Sequence, residues 1–256
     1  MLLVVDIGNS NIVMGVYDGI NLLCSWRLST NAQMTADEYG ATILNLFMFN
    51  NIKTSDVNDV IISCVVPPIL SSLEEISMKY FNVNPLIVNS DIKTGLSYLY
   101  GNPKELGADR IVNSVAGYSK YGAPLIIVDF GTATTFCVLN ENGQYLGGAI
   151  TAGLGISADA LFQRTSRLPR IELVKPEQAI GNTTVTAMQS GLIFGYIAQV
   201  DGIIKRIKAE LKLDPKVIAT GGIAPLIAAE CENVDIIEQD LTLEGLRIIY
   251  ELNKGE

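Results

Sequence analysis

The stretch Leu2–Asp18, LLVVDIGNSNIVMGVYD, decides how the rest of this chain is read, because it occurs twice. Ile126–Glu141, IIVDFGTATTFCVLNE, repeats it loosely. In both copies an apolar run ends in Asp-x-Gly, a small polar cluster follows, and a second apolar run begins. Asp6 aligns with Asp129, Gly8 with Gly131 and Asn9-Ser10 with Thr132-Ala133, an offset of 123 residues or nearly half the chain. Each apolar run is short, β-branched and bounded by Gly, the pattern of a strand, and the residues after Asp-x-Gly form a tight hairpin. Glycine lets backbone N–H groups approach an anion, hydroxyls add donors, and a carboxylate at a strand end suits a hard cation or its waters. A single Asp-x-Gly is an ordinary hairpin turn. Two in matching contexts at half-chain spacing point to a duplicated phosphate-and-metal turn, with a site between the copies.

Composition narrows the function classes. The chain has 256 residues, 48% of them apolar and 18% charged, enough for a substantial core. Net charge is -9 with no basic cluster, which argues against nucleic acid and anionic membranes. No run of 18 apolar residues predicts a spanning helix, and the first strand opening at Leu2 leaves no room for a signal segment. Cys24, Cys64, Cys137 and Cys231 are scattered without metal spacing and read as thiols of a cytoplasmic protein. Histidine is absent. Acid–base chemistry therefore falls to carboxylates, Lys, Tyr or Cys. No P-loop signature is present.

Taken in order, Cys24–Leu28 predicts a third strand and Thr35–Asn50 a helix opened by a Thr35/Glu38 capping box. Val60–Val66 reads as a buried strand stopped by Pro67-Pro68, Ile69–Phe81 as a helix and Leu86–Val88 as a short strand. Asn89–Leu106 is read as loop-rich. Gly107–Tyr118 starts a helix with Asp109 in its first turn, where an Asp is commonly no more than a cap or dipole partner. The second half, from Pro124, repeats the hairpin and adds a strand at Tyr145–Ile150. Thr151–Ala158 matches a dinucleotide fingerprint in form but lacks the surrounding βαβ unit, and is read as a Gly-rich loop lining a substrate cleft. A long helix over Thr186–Leu211 carries an apolar stripe. A strand at Val217–Thr220 ends in Gly221-Gly222, a short helix (Ile223–Glu230) and strand (Val234–Ile236) follow, and Thr242–Leu252 forms the last helix.

Three stretches, Asp6–Asn11, Asp129–Thr132 and Thr220–Gly222, resemble the phosphate 1, phosphate 2 and adenosine motifs of the acetate and sugar kinase, Hsp70 and actin superfamily. With Gly107-Ala108-Asp109-Arg110, the Thr151–Ala158 stretch and Gly181–Thr184, the whole chain is similar to the type III pantothenate kinase family. The resemblance implies an α/β fold of duplicated ribonuclease H-like, actin-like ATPase domains, divided at 1–118 and 119–256 with a central interdomain cleft. It implies ATP-dependent phosphorylation of pantothenate at its primary hydroxyl, the first committed step of coenzyme A synthesis. A homodimer is implied, with Mg²⁺ accompanying ATP and K⁺ or NH₄⁺ required. By the match, Asp6, Ile7, Gly8, Asn9, Ser10, Asn11, Ile12 and Val13 cradle the ATP phosphates, with Asp6 near Mg²⁺. Thr132 touches ATP, Asp129 ligates K⁺ and Asp109 is the general base. Tyr100, Gly107, Ala108, Asp109, Arg110 and Thr184 contact pantothenate. Ser10, where the family usually has Thr, keeps the hydroxyl. The long helix is the expected dimerisation element.

Three rivals are weighed against this. A regulatory relative without turnover would lack one of the three aspartates, and all are present. An actin-like filament protein would be longer. A sugar or acid kinase of the same fold differs only in the Gly-x-Asp-Arg neighbourhood and its companions.

Overall fold

The computed structural model describes residues 1–89 and 91–255. In chain order it contains β1 (Leu2–Ile7), β2 (Asn11–Asp18), β3 (Asn21–Ser29), α1 (Ala36–Phe49), β4 (Asp59–Cys64), α2 (Pro67–Ile76), β5 (Leu86–Ile87) and β6 (Ser97–Tyr98). Then follow α3 (Ala108–Tyr121), β7 (Leu125–Phe130), β8 (Ala133–Leu139), β9 (Gln144–Ala152), α4 (Leu154–Arg164), α5 (Thr184–Leu211), β10 (Lys216–Thr220), α6 (Ala224–Ile227), β11 (Ile236–Ile237) and α7 (Leu241–Asn253).

Two compact units emerge. The first comprises Met1–Gly95, Gly101–Ala116 and Asp240–Glu256, the second Leu96–Tyr100 and Gly117–Gln239. The division expected at residue 118 leaves out two exchanges. The terminal helix α7 packs on β1, β2 and β4 of the first unit. The short strand β6 pairs in parallel with β9 of the second. An apolar face explains why α7 returns: Leu241, Leu243, Leu246 and Ile249 are buried, while Arg247, bonded to Glu244 and Glu251 of its own helix at 2.7 Å each, lies over the Tyr17 ring.

The first sheet runs β3-β2-β1-β4-β5; the second runs β11-β10-β7-β8-β9-β6. In each, the central strand pairs antiparallel with its hairpin partner and parallel with the strand that returns after a helix. The duplication reaches single residues. Both sheets carry a bulge at the same place, between Val16 and Tyr17 and between Val138 and Leu139. The hairpins differ by one residue: four residues separate the paired Ile7 and Ile12, three separate Phe130 and Thr134. The offset of 123 therefore holds along the first strand and becomes 122 along the second. Ser10 corresponds in structure to Thr132, and not to Ala133 as expected from sequence alignment.

Apolar burial fixes each unit. In the first, Leu3, Val5 and Ile7 of β1 meet Tyr39, Ile43 and Phe47 of α1 and Ile69, Leu73 and Ile76 of α2. In the second, Ile126, Val128 and Phe130 of β7 meet Leu192, Ile193, Tyr196, Val200 and Ile204 of α5. Each such side chain contributes about 1.5–3 kcal/mol. The Thr35/Glu38 capping box forms as expected. Pro67-Pro68 does not merely end β4: both prolines occupy the first turn of α2, where a missing N–H costs nothing. A π-helical turn, Ser77–Phe81, continues α2 and ends at left-handed Asn82. Thr151–Ala158 is not a loop. Thr151 and Ala152 end β9, and Gly153 caps α4. The stretch holds Leu154 and Ala158 at helical spacing, both packed on the core of the second unit, and its glycines hid that pattern.

Candidate functional site

In the first unit, the turn after β1 is closed by backbone and side chain together. Gly8 N–H donates to Asn11 O at 2.9 Å, Thr30 N–H to Ser10 O at 3.0 Å and Thr30 Oγ1 to Gly8 O at 2.7 Å. Asn9 and Ser10 are exposed at its tip, whereas Ile7 and Ile12 are sealed in the core. Of the eight residues from Asp6 to Val13, these two can offer a ligand only their backbone.

In the second unit, Gly153 N–H donates to Thr132 O at 3.1 Å, the counterpart of the Thr30–Ser10 bond. Gly153 stands where the first unit has Thr30. A Cβ there would lie 2.3 Å from Thr132 O, so the strand backbone sits directly on the turn. Asp129 lies against Gly221, whose φ is +99° and whose Cβ would meet Asp129 Oδ1 and Phe130 O at 2.6 Å each. Only glycine tolerates both that dihedral and that approach.

Asp109 occupies the first turn of α3. Its Oδ1 accepts the Arg110 N–H at 2.8 Å, so part of the capping role expected from sequence is real. The helix start is next to the end of β1. Val65 N–H donates to Ile7 O at 3.0 Å, and a Cβ on Gly107 would fall 3.7 Å from Val65 Cγ1. The structure thus brings Gly107–Arg110 and the Asp6 turn to one end of the first sheet. Burial pushes the Asp109 carboxyl up, outweighing the backbone bond and the Arg110 charge that pull it down. The pull of the Arg110 charge is present but smaller than desolvation. Asp109 is nonetheless half-buried and not sealed. A carboxylate made more basic, yet reachable, suits proton abstraction.

Gly107 is coupled to this group. Its Cβ would lie 2.5 Å from Asp109 Oδ1. The backbone can tolerate alanine, but the carboxylate must swing away. Gly107→Ala is expected to stay folded and to lose up to ~10²-fold in kcat, the scale of a 1 Å misplacement. Steady-state kinetics beside a thermal melt checks both halves.

Tyr100 and Thr184 lie in the second unit. Tyr100 is edge-on to buried Tyr145 at 5.8 Å and covers Gly147. Thr184, first residue of α5, lines an apolar cavity with Leu161, Leu168, Met188 and Leu192. Thr183, not Thr184, caps α5 and forms a capping box with Thr186. Among the described residues no three His, Cys, Asp or Glu converge as a metal cage. The available donors are single carboxylates, hydroxyls and backbone oxygens, which suit a cation shared with substrate phosphates. Two residues escaped the sequence reading: Thr30, whose side chain braces the first turn, and Ser63, the one polar residue inside the β4 run opposite Asp6. A lone hydroxyl in VIISC was the available signal.

The paired sheets and their phosphate-type turns define an actin-like kinase architecture. A 20% identical protein from Campylobacter jejuni, described as a candidate Baf family transcriptional activator, matches 99% of this chain and 100% of its own with a TM-score of 0.62. The polyphosphate/ATP-glucomannokinase of Arthrobacter sp. strain KM matches at 13% identity, 98% of each chain and a TM-score of 0.52. Such distant likenesses establish the fold alone. The type III pantothenate kinase family profile matches residues 2–206. The type III pantothenate kinase of Geobacillus kaustophilus (strain HTA426) is 54% identical over 253 residues, 99% of this chain and 98% of that protein. The chain belongs to the type III pantothenate kinase family.

Proposed function

We propose that this protein transfers the γ-phosphoryl group of ATP to the primary hydroxyl of pantothenate, in coenzyme A biosynthesis. The 54% identity to a type III pantothenate kinase across 99% of the chain carries this reading. In this reading the backbone of Gly8–Asn11 and the Ser10 hydroxyl hold ATP phosphates, and Thr132 does so from the second turn. Asp109 takes the proton of the attacking hydroxyl, and its raised basicity supports the role. Arg110, Gly107, Ala108, Tyr100 and Thr184 hold pantothenate, with the guanidinium suited to its carboxylate. Asp6 would hold Mg²⁺ through phosphate or water, and Asp129 would hold K⁺ or NH₄⁺. Bound with ATP, the divalent ion would neutralise the charge that develops on the transferred group. The oxygen donors beside both aspartates fit such ions.

The Asp129 role has a direct check. The wild type is expected to be stimulated by K⁺ over Na⁺, and Asp129→Ala to stay folded and lose that stimulation. An unchanged cation response would remove Asp129 from that role.

A homodimer through the long helix is supported by the outer surface of α5, where Gly191, Gly195 and Gly202 face open space, and by exposed Ile180 and Val185 nearby. Sedimentation that finds only monomer would overturn it. No helix among the described residues is long and apolar enough to cross a membrane, and we place the protein in the cytoplasm. The regulatory reading is disfavoured because Asp6, Asp109 and Asp129 are all retained.

The deciding experiment measures ADP release with Mg-ATP and K⁺, comparing pantothenate with no acceptor and with acetate, glycerol and glucose. Release that depends on pantothenate is expected. Silence with pantothenate from protein that binds ATP would move the reading to another acceptor or to a regulatory relative.

A further inference from the structure

Four buried side-chain polar atoms find no hydrogen-bond partner among the described residues: Ser63 Oγ, Ser114 Oγ, Thr220 Oγ1 and Arg247 Nε. Two of them hold the same place in the duplicated sheets. Ser63 opposes Asp6 in the parallel β1–β4 register, and Thr220 opposes Asp129 in the parallel β7–β10 register. Directly opposed residues on neighbouring strands project from the same face about 4.8 Å apart. Each hydroxyl is therefore a neighbour of the carboxylate at the end of a central strand, yet forms no direct bond to it. Both residues are sealed, at 0% and 1% exposure.

The chemistry of these positions is unusual for their strands. The preceding residues are Val60, Ile61 and Ile62 in β4, and Val217, Ile218 and Ala219 in β10, all buried. A hydroxyl left without a partner in such surroundings costs about 1–3 kcal/mol, which alanine or valine would avoid. The two halves share few residues, but both keep a hydroxyl here. The carboxyl ends of parallel strands are also where α/β sheets bind ligands.

We propose that Ser63 and Thr220 are positioning residues: with a cation bound, each hydroxyl donates a hydrogen bond to the strand-end carboxylate beside it, Asp6 or Asp129, and so fixes the orientation in which that carboxylate meets the cation. The inference rests on the reading of those two aspartates as the cation-side carboxylates. A carboxylate oxygen held in place by such a donor is the kind of ligand that hard cations take. Partners in such an outer shell tune metal affinity although they do not touch the metal.

The test measures ADP binding by calorimetry without acceptor, titrating Mg²⁺ and, separately, K⁺ against Na⁺. The proteins compared are the wild type, Ser63→Ala, Thr220→Val and Thr220→Ser. Ser63→Ala should raise the half-saturating Mg²⁺ about 10-fold, and Thr220→Val should do the same for K⁺. Thr220→Ser, which keeps the hydroxyl, should stay near wild type. Melting temperatures of the first two variants should hold or rise, since an unpartnered hydroxyl is gone. Wild-type cation titrations in both variants would overturn the proposal while leaving the aspartate roles intact. Wild-type ADP binding that ignores both cations would overturn the aspartate reading, and this proposal with it. If Thr220→Val does not fold, Thr220→Ala replaces it.

Discussion

Asp109→Asn is expected to lower kcat by at least ~10²-fold, within the range for removal of a general base, while the protein stays folded and melts at a higher temperature. The two effects share one cause. Burial raises the Asp109 carboxyl above its ordinary range. The native state therefore keeps this proton to higher pH than the unfolded chain does. That contribution to stability is complete below the unfolded value and is lost as pH rises through the raised folded value. Above that raised value the ionised carboxylate is a cost to the fold, retained for its basicity. Asparagine abolishes the titration, keeps the shape and can still accept the Arg110 N–H. The wild-type rate should fall on the acid side at a pH above the usual Asp range, and the variant should lose that limb. Near-normal turnover, or a melting temperature that drops, would remove Asp109 from the role or reverse the account of its burial.

Gly221→Ala is expected to cost more stability than any surface change, at least ~2 kcal/mol, and to abolish the cation response. Its φ of +99° already excludes a β-carbon without strain, and that carbon would meet Phe130 O and Asp129 Oδ1 at 2.6 Å. Phe130 O is backbone and cannot move without disturbing β7, so the carboxylate and the end of β10 must give way. Denaturant unfolding with a K⁺ titration separates the two losses. Gly155→Ala is the control, because a Cβ at Gly155 would meet nothing within 4 Å. A fully stable Gly221→Ala with normal K⁺ stimulation would show that Asp129 does not depend on this contact.

Local chemistry made much of this protein legible in its sequence. The repeated Asp-x-Gly hairpins, the Thr35/Glu38 capping box and the apolar period of α5 each depend on neighbours within a few residues, and each appears where the sequence placed it. The Gly-Ala-Asp-Arg stretch places Asp109 in a first helical turn, and the structure has it there. The helical start at Leu154 was missed because Gly153 and Gly155 suggested a loop, whereas Gly153 is required by the Thr132 carbonyl that approaches from the hairpin. No window of sequence contains that contact.

The sequence by itself determined the two-fold repeat, most of the strands and helices, and the family, because these are carried by periodicity and by short motifs. Only the tertiary structure decided that the turns differ by one residue, so that Ser10 and Thr132 are the matching hydroxyls. It also decided that α7 packs on the first sheet, that burial outweighs Arg110 at Asp109, and that Ser63 and Thr220 stand beside the two strand-end aspartates. Register, desolvation and cross-strand proximity arise between residues far apart in the chain, and they exist only once the strands have paired.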